Sequence, residues 1–361
     1  MTKFNRFKKS RAIRLAAAAV AVVAAVAVGQ GNTASAKEGF TAPTLENGVL
    51  TINGTNKADA IALRVSALQR GVLQVDVGDD GTADFEFNTA DLTRIIVKAG
   101  NGDDTVRIDE SNGLFSNVIP TTLEGGNGDD SLTGGSGAVT LHGGNGNDKL
   151  AGGNGDETLF GDNGNDSIDG NKGADTGVLG NGDDTFTWDP GDGSDIVEGQ
   201  NGFDTMVFNG AGAAEEFDVS DFFGRVTFFR DVGNITMDTD GVERIDASTL
   251  GGADVVNVGD LSRTDVNEIN VDLAAALGGT AGDNAADSVV VGGTKGHDTI
   301  NVSGDAAGVN VTGLAATVNV SHAEPANDSL DIETNGGADS INSAGLAPGV
   351  IKLFEDGILV P

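Results

Sequence analysis

The sequence predicts an all-β, turn-rich chain, and three observations carry that prediction. Glycine is abundant at 56 of 361 residues while aromatics are few, a composition suited to many tight turns and ill suited to a helical bundle. Short runs of alternating apolar residues are bounded by Gly and Asp, as in Val72 to Val77 and Phe85 to Phe87 around GDDGTAD, the pattern of strands joined by a hairpin turn. The chain also repeats itself at two periods, nine residues in the centre and forty-one near the end, which means stacked supersecondary units.

The first 36 residues stand apart. A basic stretch (Lys3, Arg6, Lys8, Lys9, Arg11, Arg14) precedes an apolar run from Leu15 to Val28, then Ala34-Ser35-Ala36. This reads as a cleavable export signal, with cleavage after Ala36 and a secreted, extracellular product. The apolar run is short of the roughly 18–20 residues that span a bilayer, so no membrane insertion is expected. The formal net charge is −34, and the signal contributes only positive charge. Such a surface repels nucleic acid and anionic lipid and attracts cations. There is no cysteine, so an exported chain must be held together by something other than disulfides, and a metal is the natural substitute.

After the signal, a β domain is expected over 37–123, a repeat array over 124–210, and a second β domain over 211–361. In the array the stretch GGNGNDKLAGGNGDETLFGDNGNDSID (143–169) writes one nine-residue sentence three times. Copies begin at Gly125, Gly134, Gly143, Gly152, Gly161, Gly170 and Leu179, and, after the irregular stretch WDPGDGSDIVE, at Gly199. The eighth positions are Leu132, Leu141, Leu150, Leu159, Ile168, Gly177, Phe186 and Met206, so Gly177 alone breaks an apolar series. One buried aliphatic is a small return for ordering nine residues rich in glycine. Acids in register at the sixth position repel one another besides. Without a cation the array is expected to be marginal or disordered. With one, glycines of positive φ turn carbonyls inward, the acids supply charge, and two stacked turns reach the six or so oxygens that suit Ca²⁺ better than Mg²⁺. Zinc, which favours His and Cys, is a poor match.

GGNGDDSLT, GGNGNDKLA and GGNGDETLF resemble the nonapeptides of RTX, or haemolysin-type, calcium-binding proteins, and AGNGDDTVR (99–107) is one isolated turn of the kind. The resemblance implies a parallel β-roll or β-solenoid of glycine-aspartate-rich nonapeptides, flanked here by solenoid-like or stacked-sheet β domains. It implies several bound Ca²⁺ ions, held between turns 18 residues apart. The expected metal residues are Asp130, Asp148, Asp166 and Asp184 on one edge and Glu157 and Asp175 on the other, with Asp195 and Asp204 beyond. Gly126, Gly128, Gly144, Gly146, Gly164, Asn145 and Asn163 are expected to complete the turns. The second edge should be the weaker, and emptiest at Val139. An N-terminal signal departs from the uncleaved C-terminal signal of many such proteins, which argues against a toxin.

The 41-residue repeat pairs ADSVVV (from Ala286) with NDSLDI (from Asn327), and HDTINVSG (from His297) with ADSINSAG (from Ala338). GGADVVNV and KADAIALR are related units, which suggests further stacked turn–strand modules. The densest aromatic stretch, FFGRVTFFRDV (222–232), reads as a strand with phenylalanine on a buried face. His142, His297 and His322 fit no catalytic spacing, and there is no G-x-S-x-G elbow or P-loop. The expectation is therefore a non-enzymatic calcium-binding protein. Two other classes stay open: a calcium-stabilised adhesin or envelope protein contacting polysaccharide, and a polysaccharide-modifying enzyme with the repeats as an accessory.

Overall fold

The computed structural model describes residues 39–361, so the expected export signal and cleavage after Ala36 lie outside the described residues. Among the described residues there is no α-helix, only one 3-10 turn at Thr89–Asp91. Two long sheets, of 16 and 15 strands, run the length of the described residues, and neither breaks at 123/124 or at 210/211. The all-β fold with a coiled, parallel centre is borne out.

Each coil contributes one strand to each sheet. In the first sheet Thr121–Asn127, Val139–Asn145, Thr158–Asn163, Thr176–Asn181 and Ile196–Asn201 stack in parallel. In the second, Ser131–Thr133, Lys149–Gly153, Ser167–Asn171, Thr185–Trp188 and Thr205–Asn209 do the same. The register places like residues over like. Leu141 lies over Leu159, and Leu132, Leu150, Ile168, Phe186 and Met206 form one column. All of these side chains are fully buried, so the lone apolar residue of each repeat shares one continuous core with its neighbours. That is why nine residues can serve a single leucine: its burial is completed by the coils above and below.

Gly177, the break in the apolar series, has a packing reason. A Cβ there would lie 2.7 Å from the ring of Phe186, so the missing side chain makes room for an oversized neighbour. The irregular stretch after Thr187 lengthens one coil by two residues. Both edges then resume with a spacing of 20 in place of 18. Trp188 is buried there and stacks on Phe208, with ring centroids 4.1 Å apart.

The flanks use the same sheets. Parallel pairing of Ser288–Gly292 with Ser329–Glu333, and of Thr299–Asp305 with Ser340–Leu346, realises the 41-residue repeat. Antiparallel strands interrupt the coil in two places, the meander Glu216–Phe222, Arg225–Arg230, Ile235–Asp240 and the strand Gly308–Thr312. Antiparallel hairpins also close the first sheet at both ends and the second at its N-terminal end. The aromatic stretch divides: Phe228 enters the core, but Phe222 and Phe223 sit at the hairpin turn, 63% and 86% exposed. The alternation that predicts a buried face stops where the chain reverses.

In saturating calcium, Leu159→Ala should lower stability by about 2–5 kcal/mol, because the coils on either side cannot close over the void. Gly177→Val should cost about 1–3 kcal/mol by overpacking against Phe186. Urea midpoints check both; a Gly177→Val chain more stable than the parent would show that the position is an unfilled cavity.

Candidate metal centre

The turns between the two sheets carry the chemistry. On one edge the sixth residue of each turn donates its backbone N–H to Oδ1 of the acid one coil on. Asp104 donates to Asp130, Asp130 to Asp148, Asp148 to Asp166, each at 2.7 Å, and the series continues through Asp166, Asp184 and Asp204. Asp59 precedes this ladder and Glu243 ends it. On the other edge Glu157 donates to Asp175 and Asp175 to Asp195.

That bond uses one carboxylate oxygen, and the second is stranded. Oδ2 of Asp104, Asp130, Asp148, Asp166, Asp175, Asp184 and Asp204, and Oε1 of Glu157, are buried without a hydrogen-bond partner. Orphaned buried oxygens of this kind are costly and rare in folded proteins. Those of Asp130, Asp148, Asp166, Asp175 and Asp204 lie in a cradle over the first glycine of their own turn, whereas the turns of Asp104 and Asp184 begin with Ala99 and Leu179. A Cβ at Gly143 would overlap Asp148 Oδ2 and lie 2.8 Å from the Gly161 carbonyl oxygen; Gly125 and Gly161 are placed alike. A carboxylate oxygen and a carbonyl oxygen thus converge at the same place in the coils that begin at Gly125, Gly143 and Gly161, where a Cβ would intrude.

The second and fourth turn residues close the coil. Gly126, Gly128, Gly144, Gly146 and Gly164 all have φ between 115° and 136°. At Gly144 a Cβ would also strike the carbonyl of Gly126 one coil below. The side chains of Asn145 and Asn163 are exposed. Their side-chain amides form an exposed ladder with Asn127 and Asn181 at 2.8–3.1 Å, so they tie coils together from outside the cradle.

Burial is the main influence on these acids. It pushes Asp175 up to about 8, Asp130, Asp166, Asp195, Asp204 and Glu157 to about 7, and Asp148 and Asp104 to about 6. Asp184 is raised by the same cause. The N–H bond to Oδ1 opposes the shift without cancelling it, and neighbouring carboxylates add to it for most members. Among the described residues no three His, Asp or Glu side chains converge on one point. A cation here would need backbone carbonyls as well as carboxylates, which is the hard-oxygen mixture that calcium takes.

Residues 124–156, 151–186 and 190–206 match the family model of the RTX calcium-binding nonapeptide repeat, in four copies. The chain carries an RTX array. No curated protein matches the chain. Repeats of that family bind calcium, and the orphaned oxygens and open glycines here fit such an ion. Asp130, Asp148, Asp166, Asp184 and Asp204 would hold it on the first edge, and Glu157, Asp175 and Asp195 on the second. Val139 brings no oxygen, and its side chain is buried in the core. The RTX match stops short of Asp59, Asp104 and Glu243, which continue the same ladder. The signal for them was an acid two residues before the first core residue: Ile61, Val106 and Ile245 follow in that position.

The pH dependence of the metal-free RTX array should run opposite to that of most acidic proteins. These carboxyls are raised in the fold above their ordinary value near 4, so folding favours their protonated form. Metal-free stability should be highest below pH about 4 and be lost as pH rises through about 6–8. In chelator, the urea midpoint at pH 5 should exceed that at pH 8. Calcium needs the ionised form, so in excess calcium the order should reverse. A chelated chain of equal stability at both values would contradict the burial of these groups.

Proposed function

We propose that this is a secreted, non-enzymatic calcium-binding protein whose RTX array folds as it takes up Ca²⁺. The row of buried, partnerless carboxylate oxygens along the RTX turns carries this reading. The coil is compact only if those oxygens are protonated or bound to a cation, so ion binding and folding are one step. The first 36 residues support export, and the absence of cysteine fits a chain stabilised by ions outside the cell. In a low-calcium interior the array would stay open; outside, millimolar calcium would close it, with affinity of about 10⁻⁴–10⁻³ M per site, as in extracellular modules.

The non-enzymatic reading is supported by the histidines. His142 stacks on Phe160 at 4.5 Å on the outside of the coil. His297 Nδ1 lies 2.9 Å from the Ala338 carbonyl, and His322 pairs with Asp272 at 2.6 Å. Each is engaged in a local contact. The first edge, with its longer series of orphaned oxygens, should fill before the second.

Circular dichroism of residues 37–361, titrated with Ca²⁺ and then chelator, tests the proposal. A cooperative gain of β signal, reversed by chelator, is expected. Asp148→Asn should raise the calcium midpoint about tenfold, equivalent to about 1.4 kcal/mol. A chain fully folded in chelator at pH 8 and unaltered by calcium would refute coupled folding.

A further inference from the structure

The same ladder recurs in the C-terminal flank, where no RTX repeat is matched. Four six-residue turns stack there: 210–215, 249–254, 282–287 and 323–328. Each ends in an acid, namely Glu215, Asp254, Asp287 and Asp328. The core residue comes two places later, at Phe217, Val256, Val289 and Leu330. Glu215 donates its N–H to Asp254 Oδ1 at 2.8 Å, Asp254 to Asp287 at 2.9 Å, and Asp287 to Asp328 at 3.1 Å.

The first rung has a cation of its own. Arg230 donates through Nε to Glu215 at 2.7 Å, and also through Nη2, with both side chains buried. The second rung has none. Asp254 is 1% exposed and its Oδ2 has no partner. Its surroundings are acidic: Asp283, Asp287 and Glu215 all bear on it. Asp283 reaches across to accept the Gly252 N–H at 2.6 Å, and Glu324 accepts the Asn284 N–H at 2.6 Å. Among the described residues, no lysine, arginine or histidine forms an ion pair with Asp254, Asp283, Asp287, Glu324 or Asp328. The ammonium of Lys352, beside the last turn, bonds the Asn327 carbonyl instead.

We propose that turns 249–254 and 282–287 hold a divalent cation between them, with Asp254 Oδ2 as its buried ligand and Asp283 and Asp287 beside it. The donors are carboxylate and carbonyl oxygens, so the ion is a hard one, and the open, uneven spacing of the turns suits calcium over magnesium. Arg230 at the first rung shows what the second lacks: a positive charge facing a buried acid of the ladder. An ion there would give the C-terminal flank a calcium requirement separate from that of the RTX array.

The test is calcium stoichiometry on the unsubstituted chain, Asp254→Asn and Asp287→Asn, by equilibrium dialysis with Ca²⁺ as the only divalent ion. Trp188, the single tryptophan, lies at the RTX array and reports its folding by fluorescence. The proposal expects each variant to bind at least one ion fewer with the Trp188 response to calcium unchanged. Full stoichiometry in both variants overturns it. Should the variants fail to fold, crystals of the unsubstituted chain grown in calcium decide. Anomalous scattering at 249–287 upholds the site; ions in the RTX turns with none here overturn it alone; ions in neither place overturn the calcium reading of both.

Discussion

One hydrogen bond organises this molecule: the backbone N–H of an acidic turn residue to a single carboxylate oxygen of the acid in the next coil. It fixes the rise from coil to coil, because the acid must stand directly over its predecessor. It also decides the electrostatics. From Asp104 to Asp204, spending one oxygen on the backbone leaves the other buried and unpaired, and a ladder of such groups cannot be both ionised and dry without a counter-charge. The chain supplies arginine at Glu215 and backbone N–H groups at Asp59 and Asp328, and gives the free oxygens from Asp104 to Asp204 no counter-charge of its own. Fold, ion binding and acidity are therefore consequences of one geometry. The first glycines of most turns follow from it too, since at Gly125, Gly143 and Gly161 a Cβ would intrude on the free oxygen.

Much of this was legible in the sequence because the central period holds from Gly125 to Thr187 without a slip. An acid at the sixth place and an aliphatic at the eighth, repeated through Asp130, Asp148 and Asp166 with Leu132, Leu150 and Ile168, define turn, strand and facing without further information. What stayed hidden depended on contacts between coils. Gly177 reads as a defect until Phe186 is seen filling its space. Asn145 and Asn163 have the right chemistry for a ligand, and only the stacking shows that their amides are committed to one another. The C-terminal ladder is hidden for another reason: its acids are 39, 33 and 41 residues apart, because meanders and long turns intervene, so no fixed period announces it. Phe222 and Phe223 were misplaced because alternation says nothing about where a hairpin reverses.

The stretch after Thr187 shows how the coil absorbs irregularity. The two added residues lie in the turn between Thr185–Trp188 and Ile196–Asn201, so the strands keep their register, with Val197 in the core and Asp195 on the ladder. The enlarged turn is filled by Trp188, whose indole N–H bonds the Gly193 carbonyl at 2.7 Å.

The hairpins at the ends of the sheets bear on association. A coil of parallel strands is open at both ends, and each terminal coil offers unpaired backbone groups to any chain that can continue it, another copy of itself included. Here the first sheet stops in Thr44–Glu46 at one end and in the two-residue strand Ile358–Leu359 at the other, while Phe85–Asn88 closes the N-terminal end of the second. These are short pieces laid antiparallel to their neighbours, and an incoming coil would find neither the direction nor the length it needs. The far end of the second sheet differs: it stops at Ser340–Leu346, seven residues laid parallel to their neighbour, so among the described residues that edge is the one left with the direction and length another strand could continue.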